Sequence, residues 1–260
     1  MIKLLKIEWL KVKAYRTFWI LSGLFLIAVP LLMWAFESII RTSPKPVAAF
    51  LNSMSFPKVW DNTAWLASWV TPVMGILLVI FLTNENNFRT IRQNIIDGWS
   101  RDQYITAKYG VLVSAALFMT LVISITALVF GLRSGDSEVS DGSIFIWYTF
   151  VQSLTYLSLA FFLGVYMKRA GIAIAIYVMY VYIGEFAISM LLEYKVAFHS
   201  GTYLPLESTD RLIGGESKIL RDIIQRGGSG PSRTTYIIIA FVWIFLFNGA
   251  AWYKMKKADL

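Results

Sequence analysis

Few residues in this chain could do chemistry. There is no cysteine, and His199 is the single histidine. That removes disulfides, iron–sulfur clusters and thiol nucleophiles, and it leaves a histidine-rich metal site without ligands. No Ser/His/Asp set can be built around one histidine in a charged connector, where His199 reads as a solvated loop residue. No G-x-x-x-x-G-K-[ST] phosphate loop occurs; the nearest piece, GGESK at 214–218, lacks the spacing. The chain therefore carries no usual ATP site. One carboxylate stands out. Glu185 is the single acidic residue well inside an apolar run, where its burial is expensive and points to function. The plainer alternatives are pairing with a tyrosine such as Tyr182, or snorkelling to headgroups. Tyr177, Tyr180 and Ser189 share or border its helical face. Thr71-Pro72 should loosen another apolar run locally. An intramembrane metalloprotease would need several ligands within the runs, and Glu185 alone does not suffice.

The elements that hold these residues must sit in lipid. Of 260 residues, 57% are hydrophobic and 15% charged, with a mean hydropathy of +0.60. A soluble domain of this length cannot hide so much apolar surface. Trp19, Trp34, Trp65, Trp147 and Trp252 fall at the ends of apolar runs, the place of interfacial belt residues. Six membrane spans are predicted, over roughly 17–36, 65–83, 111–132, 144–167, 170–192 and 235–253. The first is too long for a signal h-region and lacks a cleavage site. The fold class is thus an all-α integral membrane protein.

Six spans put both termini on one side. Lys3, Lys6, Lys11, Lys13 and Arg16, the loop cations Arg89, Arg92, Arg101 and Lys108, the Lys168-Arg169 turn, and Lys254, Lys256 and Lys257 share that side. The positive-inside rule makes it cytoplasmic. The net charge of +8 is explained by this orientation, and nucleic-acid binding is not called for.

The loop NENNFRTIRQNIIDGWSRDQY at 84–104 is charged yet patterned. Phe88, Ile91 and Ile95 recur on one helical face, flanked by Arg89 and Arg92. Asp97-Gly98 supplies a stop. Ser100-Arg101-Asp102-Gln103 reads as a capping box that starts a new helix into the third span. The apolar stripe packs either on the chain's own helix ends or on a soluble partner. At the N-terminus, Leu5, Trp9 and Val12 share one face while Lys3, Lys6 and Lys13 point elsewhere, which predicts an interfacial helix over 1–16 with an elbow near Arg16-Thr17.

A basic elbow, six spans and a cytoplasmic loop after the second span together resemble the permease subunit of type-2 ABC transporters, of the bacterial exporter kind. The family's loop elements match Glu85, Thr90-Ile91-Arg92 and Ser100-Arg101, followed by Lys108, although Arg89 stands where the family commonly has Gly. The ending YKMKKADL also looks like such permeases. The resemblance implies that 86–98 is a coupling helix docking into a cytosolic ABC ATP-binding subunit. Glu85, Phe88, Thr90, Ile91, Arg92, Ile95, Ser100 and Arg101 would form the docking site within the 84–110 loop. ATP and Mg would be bound by that partner, with no cofactor in this chain. A second permease chain, identical or related, would complete a dimer in the bacterial cytoplasmic (inner) membrane. It further implies that the second and fifth spans line the pathway, which makes Thr71, Pro72, Tyr182, Glu185 and Ser189 its candidate residues.

Two outward connectors remain. The 37–64 loop forms a smaller cap. The 193–234 loop carries short helices. Its charges, Glu207, Asp210, Arg211, Glu216, Lys218, Arg221, Asp222 and Arg226, predict interfacial rather than deeply re-entrant helices there. Three functions stay open on the sequence. The first is a non-catalytic permease exporting an amphiphile such as a peptide, antibiotic or lipid-like compound. The second is a secondary transporter or channel using Glu185. The third is a scaffold or signalling subunit of ABC ancestry.

Overall fold

The computed structural model describes residues 2–42, 54–87, 99–135, 138–167, 169–196, 199–213 and 231–257. Helix α1 (Ile2–Ala14) is the elbow. It breaks at Tyr15 into α2 (Arg16–Thr42), which runs one and a half turns beyond the expected first span. After it come α3 (Lys58–Ser68), α4 (Thr71–Asn87), α5 (Arg101–Arg133) and α6 (Ile144–Tyr166). Then α7 (Ala170–Met179) and α8 (Glu185–Lys195) are joined without interruption by a π segment, Tyr180–Gly184. A 3-10 turn (Ser200–Tyr203), the short α9 (Pro205–Asp210) and α10 (Arg233–Lys257) complete the order.

Five of these helical stretches are long and apolar enough to cross a membrane, and the bent pair α3–α4 makes a sixth. Helix α6 is the most enclosed, packed by α4, α5 and α10. Phe25 and Met33 of α2, Met119 and Ile123 of α5, and Leu157 and Phe161 of α6 build the main core. A second cluster joins Val79 of α4 and Tyr156 of α6 to Ala173 and Tyr177 of α7 and Leu206 of α9. The Tyr177 ring lies directly on the backbone of Gly75: a Cβ there would lie 2.2 Å from the Tyr177 hydroxyl oxygen.

The second span, expected over 65–83 with a local loosening at Thr71-Pro72, begins earlier, at Lys58, and is broken just ahead of Thr71. It stops at Ser68, resumes at Thr71 and bends by 46°. Pro72 is the cause: it has no N–H to donate to the Ser68 carbonyl, and its ring crowds the preceding turn. The outer part of this span, α3, closes the far end of the bundle. There the Trp60 indole N–H donates to the Asp141 carbonyl at 3.1 Å.

The connector between the fifth and sixth spans also departs from expectation. Its stretch 200–213 packs into the bundle, while 214–230, with Glu216, Lys218, Arg221, Asp222 and Arg226, lies outside the described residues. Thr202, Leu206, Ser208, Thr209, Leu212 and Ile213 are all buried. The Tyr203 carbonyl accepts from the indole N–H of Trp243, near the middle of α10. Of the charges that argued against re-entry, the three among the described residues have local partners. Asp210 accepts from Gln152 Nε2 at 2.7 Å and from the Tyr156 hydroxyl at 3.1 Å, and Glu207 pairs with Arg211 at 3.0 Å. Side-chain partners one turn away, or on the wall of the bundle, remove the cost that isolated charges would carry.

Candidate functional site

Two groups of polar residues interrupt the apolar bundle. The first lies at the end that carries both termini. Lys108 of α5 is fully buried, and its Nζ donates at 2.5 Å to both Glu8 Oε2 of the elbow and Glu85 Oε1 of α4. The Tyr104 hydroxyl donates to Glu85 Oε2 at 2.7 Å. Lys11 reaches the same carboxylates at 3.1 and 3.4 Å. The Lys108 ammonium also lies 4.5 Å from the Phe81 ring centroid. Two carboxylates and two ammonium groups balance, so the charges can be buried together, and each added hydrogen bond offsets part of the desolvation cost.

Local sequence places each member. Ser100 caps α5: its hydroxyl accepts from the Gln103 N–H, and the Gln103 side chain accepts from the Ser100 N–H. This is the capping box expected from SRDQ. From that start, Tyr104 and Lys108 fall one turn apart on the inner face. Arg101 points the other way and donates to the Lys256 carbonyl at 2.8 Å, tying α5 to the last helix. Glu85 is therefore buried in the joint and not offered to solvent, while Ser100 is exposed. Phe88, Thr90, Ile91, Arg92 and Ile95, with the expected coupling helix, lie outside the described residues.

Sequence reasoning missed Glu8 as a site residue, and it read Lys108 as a topogenic charge and as the end of the family's loop pattern without giving it a partner. A weak signal existed. Glu8 is the single acidic residue of the basic elbow, and Lys108 follows Tyr104 by one turn inside an otherwise apolar helix.

The second group lies inside the bundle. At the break of the second span, the Thr71 hydroxyl donates to the Ala67 carbonyl at 3.1 Å, and the Val73 N–H goes to Val70. The Trp69 carbonyl is thus left without its helical donor. It accepts instead from the Tyr182 hydroxyl at 2.7 Å. Tyr182 belongs to the π segment, so the two irregular points of the bundle meet there. Glu185 does not pair with Tyr182. It is buried, and its Oε1 accepts from the Glu207 N–H of α9 at 2.5 Å. Ser189, one turn further, is packed against Gly201, where a Cβ would come within 2.2 Å of the Ser189 Oγ. Tyr182 thus grips the second span, while Glu185 and Ser189 grip the re-entrant stretch.

This architecture defines a class: a polytopic helical membrane protein with an elbow, a broken second span, a long helix entering the third span from a capped start, and a re-entrant connector before the last span. The family model described as ABC-2 family transporter protein matches residues 4–193. The chain belongs to that family, as a permease subunit of an ABC transporter. The match runs from the elbow to the end of the fifth span. No curated protein matches the chain.

Proposed function

We propose that this chain is one permease domain over residues 1–260 that exports an amphiphilic compound, powered by a separate cytosolic ATP-binding subunit docking on the 84–104 loop. ATP and Mg belong to that subunit, and hydrolysis occurs there. Two permease chains pair in the bacterial inner membrane with their termini in the cytoplasm. The observation that carries the reading is the Lys108 joint. The loop leaves the bundle just after Glu85 and returns at Ser100, within two turns of Lys108. Both roots of the loop are thereby locked to each other and to the elbow, so a push on the loop reaches α1, α4 and α5 together. An apolar stripe at Phe88, Ile91 and Ile95 between such anchored roots suits insertion into a cleft.

Use of Glu185 as an ion-coupling group is the less favoured reading, because one of its oxygens already holds the backbone of α9. The test is co-purification of the ATPase. Ile91→Asp or Ile95→Asp should leave membrane insertion intact and lose the ATPase, since a charge replaces the apolar face. Normal ATPase recovery with both variants would overturn the docking assignment.

A further inference from the structure

The elbow does not lie flush on the bundle. Between α1, α2, α4 and α5 a groove of about 560 Å³ remains, walled by apolar side chains such as Trp9, Phe18, Leu26, Leu77 and Phe118. That is within the range of about 300–1,000 Å³ typical of small-molecule sites. Part of its depth comes from Gly23, where an added Cβ would meet nothing within 4 Å. Four elements wall the groove, so it is more enclosed than the furrow between two neighbouring spans.

Its rim is cationic. Lys13 and Arg16 are exposed, and neither makes an ion pair among the described residues. Lys11 and Lys108, by contrast, are consumed by Glu8 and Glu85. Val12, Tyr15 and Thr17, the immediate neighbours of Lys13 and Arg16, line the groove itself. Deeper in, Ser22 lines the wall with a hydroxyl that has no hydrogen-bond partner. Six helical residues separate it from Arg16, about 9 Å along the axis. That is within the depth of about 5–10 Å to which an interfacial helix sinks its apolar face into the boundary of headgroups and acyl chains.

We propose that this groove is a binding site for one anionic phospholipid of the leaflet at the terminal end. Its phosphate lies against Lys13 and Arg16. Its ester region lies level with Ser22, and an acyl chain fills the space beneath the elbow. Uncompensated cations at the surface favour anionic over zwitterionic headgroups. The enclosed apolar wall makes the site a pocket for a single chain and not a general annular contact.

The test uses the full chain, with any subunit that co-purifies. It is reconstituted in nanodiscs of equimolar phosphatidylglycerol and phosphatidylethanolamine, then released into mild detergent for native mass spectrometry. Wild type should retain one phosphatidylglycerol per chain. Gly23→Leu, which fills the groove from α2, and Ala115→Leu, which fills it from α5, should each lower that occupancy about ten-fold at unchanged melting temperature. Lys13→Glu with Arg16→Glu should abolish the preference for phosphatidylglycerol without touching the groove. Equal retention of both lipids by wild type would overturn the proposal, and so would undiminished retention in the groove-filling variants. A non-phospholipid amphiphile expelled by Gly23→Leu, with the phospholipid count constant, would assign the groove to cargo and overturn it as well.

Discussion

The Tyr182 hydroxyl donates to the Trp69 carbonyl across 2.7 Å, joining the π segment of the fifth span to the broken turn of the second. Each irregularity accounts for the other. Pro72 breaks the turn, the Val73 N–H then turns to Val70 and leaves the Trp69 carbonyl free, and the extra residue of a π turn re-aims the side chains around it.

Tyr182→Phe should therefore cost about 0.6–1.7 kcal/mol, the range for hydrogen bonds between membrane helices. In a Pro72→Ala background, where the helix can close on its own carbonyl, the same change should cost less. A double-mutant cycle of detergent unfolding measures the difference. An unchanged cost would mean that the bond is not tied to the break.

Lys108→Met leaves Glu8 and Glu85 facing one another in a buried site. The loss should reach about 3–5 kcal/mol, the usual result of removing one partner of a buried pair. Adding Glu8→Gln and Glu85→Gln should restore much of it. Thermal unfolding of the single and triple variants checks the order. A rescued fold with weakened ATPase recovery would further support the joint as the base of the docking loop.

Glu185→Gln keeps an acceptor oxygen for the Glu207 N–H. Protein level and transport should be close to wild type. Glu185→Ala leaves that N–H buried without a partner and should cost about 1–3 kcal/mol, read as lower membrane level and earlier unfolding. Severe loss of transport in Glu185→Gln at full protein level would instead give the charge a direct role with cargo.

The fifth span exposes Ile183, Phe186 and Met190 on one apolar side. If two copies pair there, single cysteines at these positions should cross-link between chains in membranes. The chain has no cysteine to remove first. Cross-links confined to the fourth or sixth span would refute this seam. A symmetric pair requires each copy to present the same patch.

Much of the architecture was legible in the sequence because it rests on local signals. Long apolar runs set the spans, SRDQ set the start of α5, and Thr71-Pro72 marked the broken turn. Glu185 and Ser189 were legible as neighbours on one helical face, since i and i+4 require only periodicity, and Tyr182 was named beside them as a candidate partner of Glu185. Their partners were not. Tyr182 meets a backbone carbonyl 113 residues away, and Glu185 meets a backbone N–H whose exposure depends on where α9 starts. Glu8 and Lys108 lie 100 residues apart. Counted singly, each looks like ordinary flank charge; only the packing of α1 on α5 makes them a pair. The re-entry of 200–213 was hidden for a related reason. Its charges looked prohibitive until Gln152, Tyr156 and Arg211 were in place around them.

Helix α5 runs unbroken for 33 residues from its cap at Ser100, about 50 Å of rigid rod against a hydrocarbon core of about 30 Å. Its neighbour, the second span, is articulated at Trp69-Val70. The two roots of the 84–104 loop thus differ in build, one entering a bent span and the other an unbroken helix. A displacement at the loop would then meet a bend on one side, braced by Tyr182, and a continuous rod on the other. Any sliding of the far ends of the two spans would register first where Phe56, just ahead of α3, packs on Gly131 of α5.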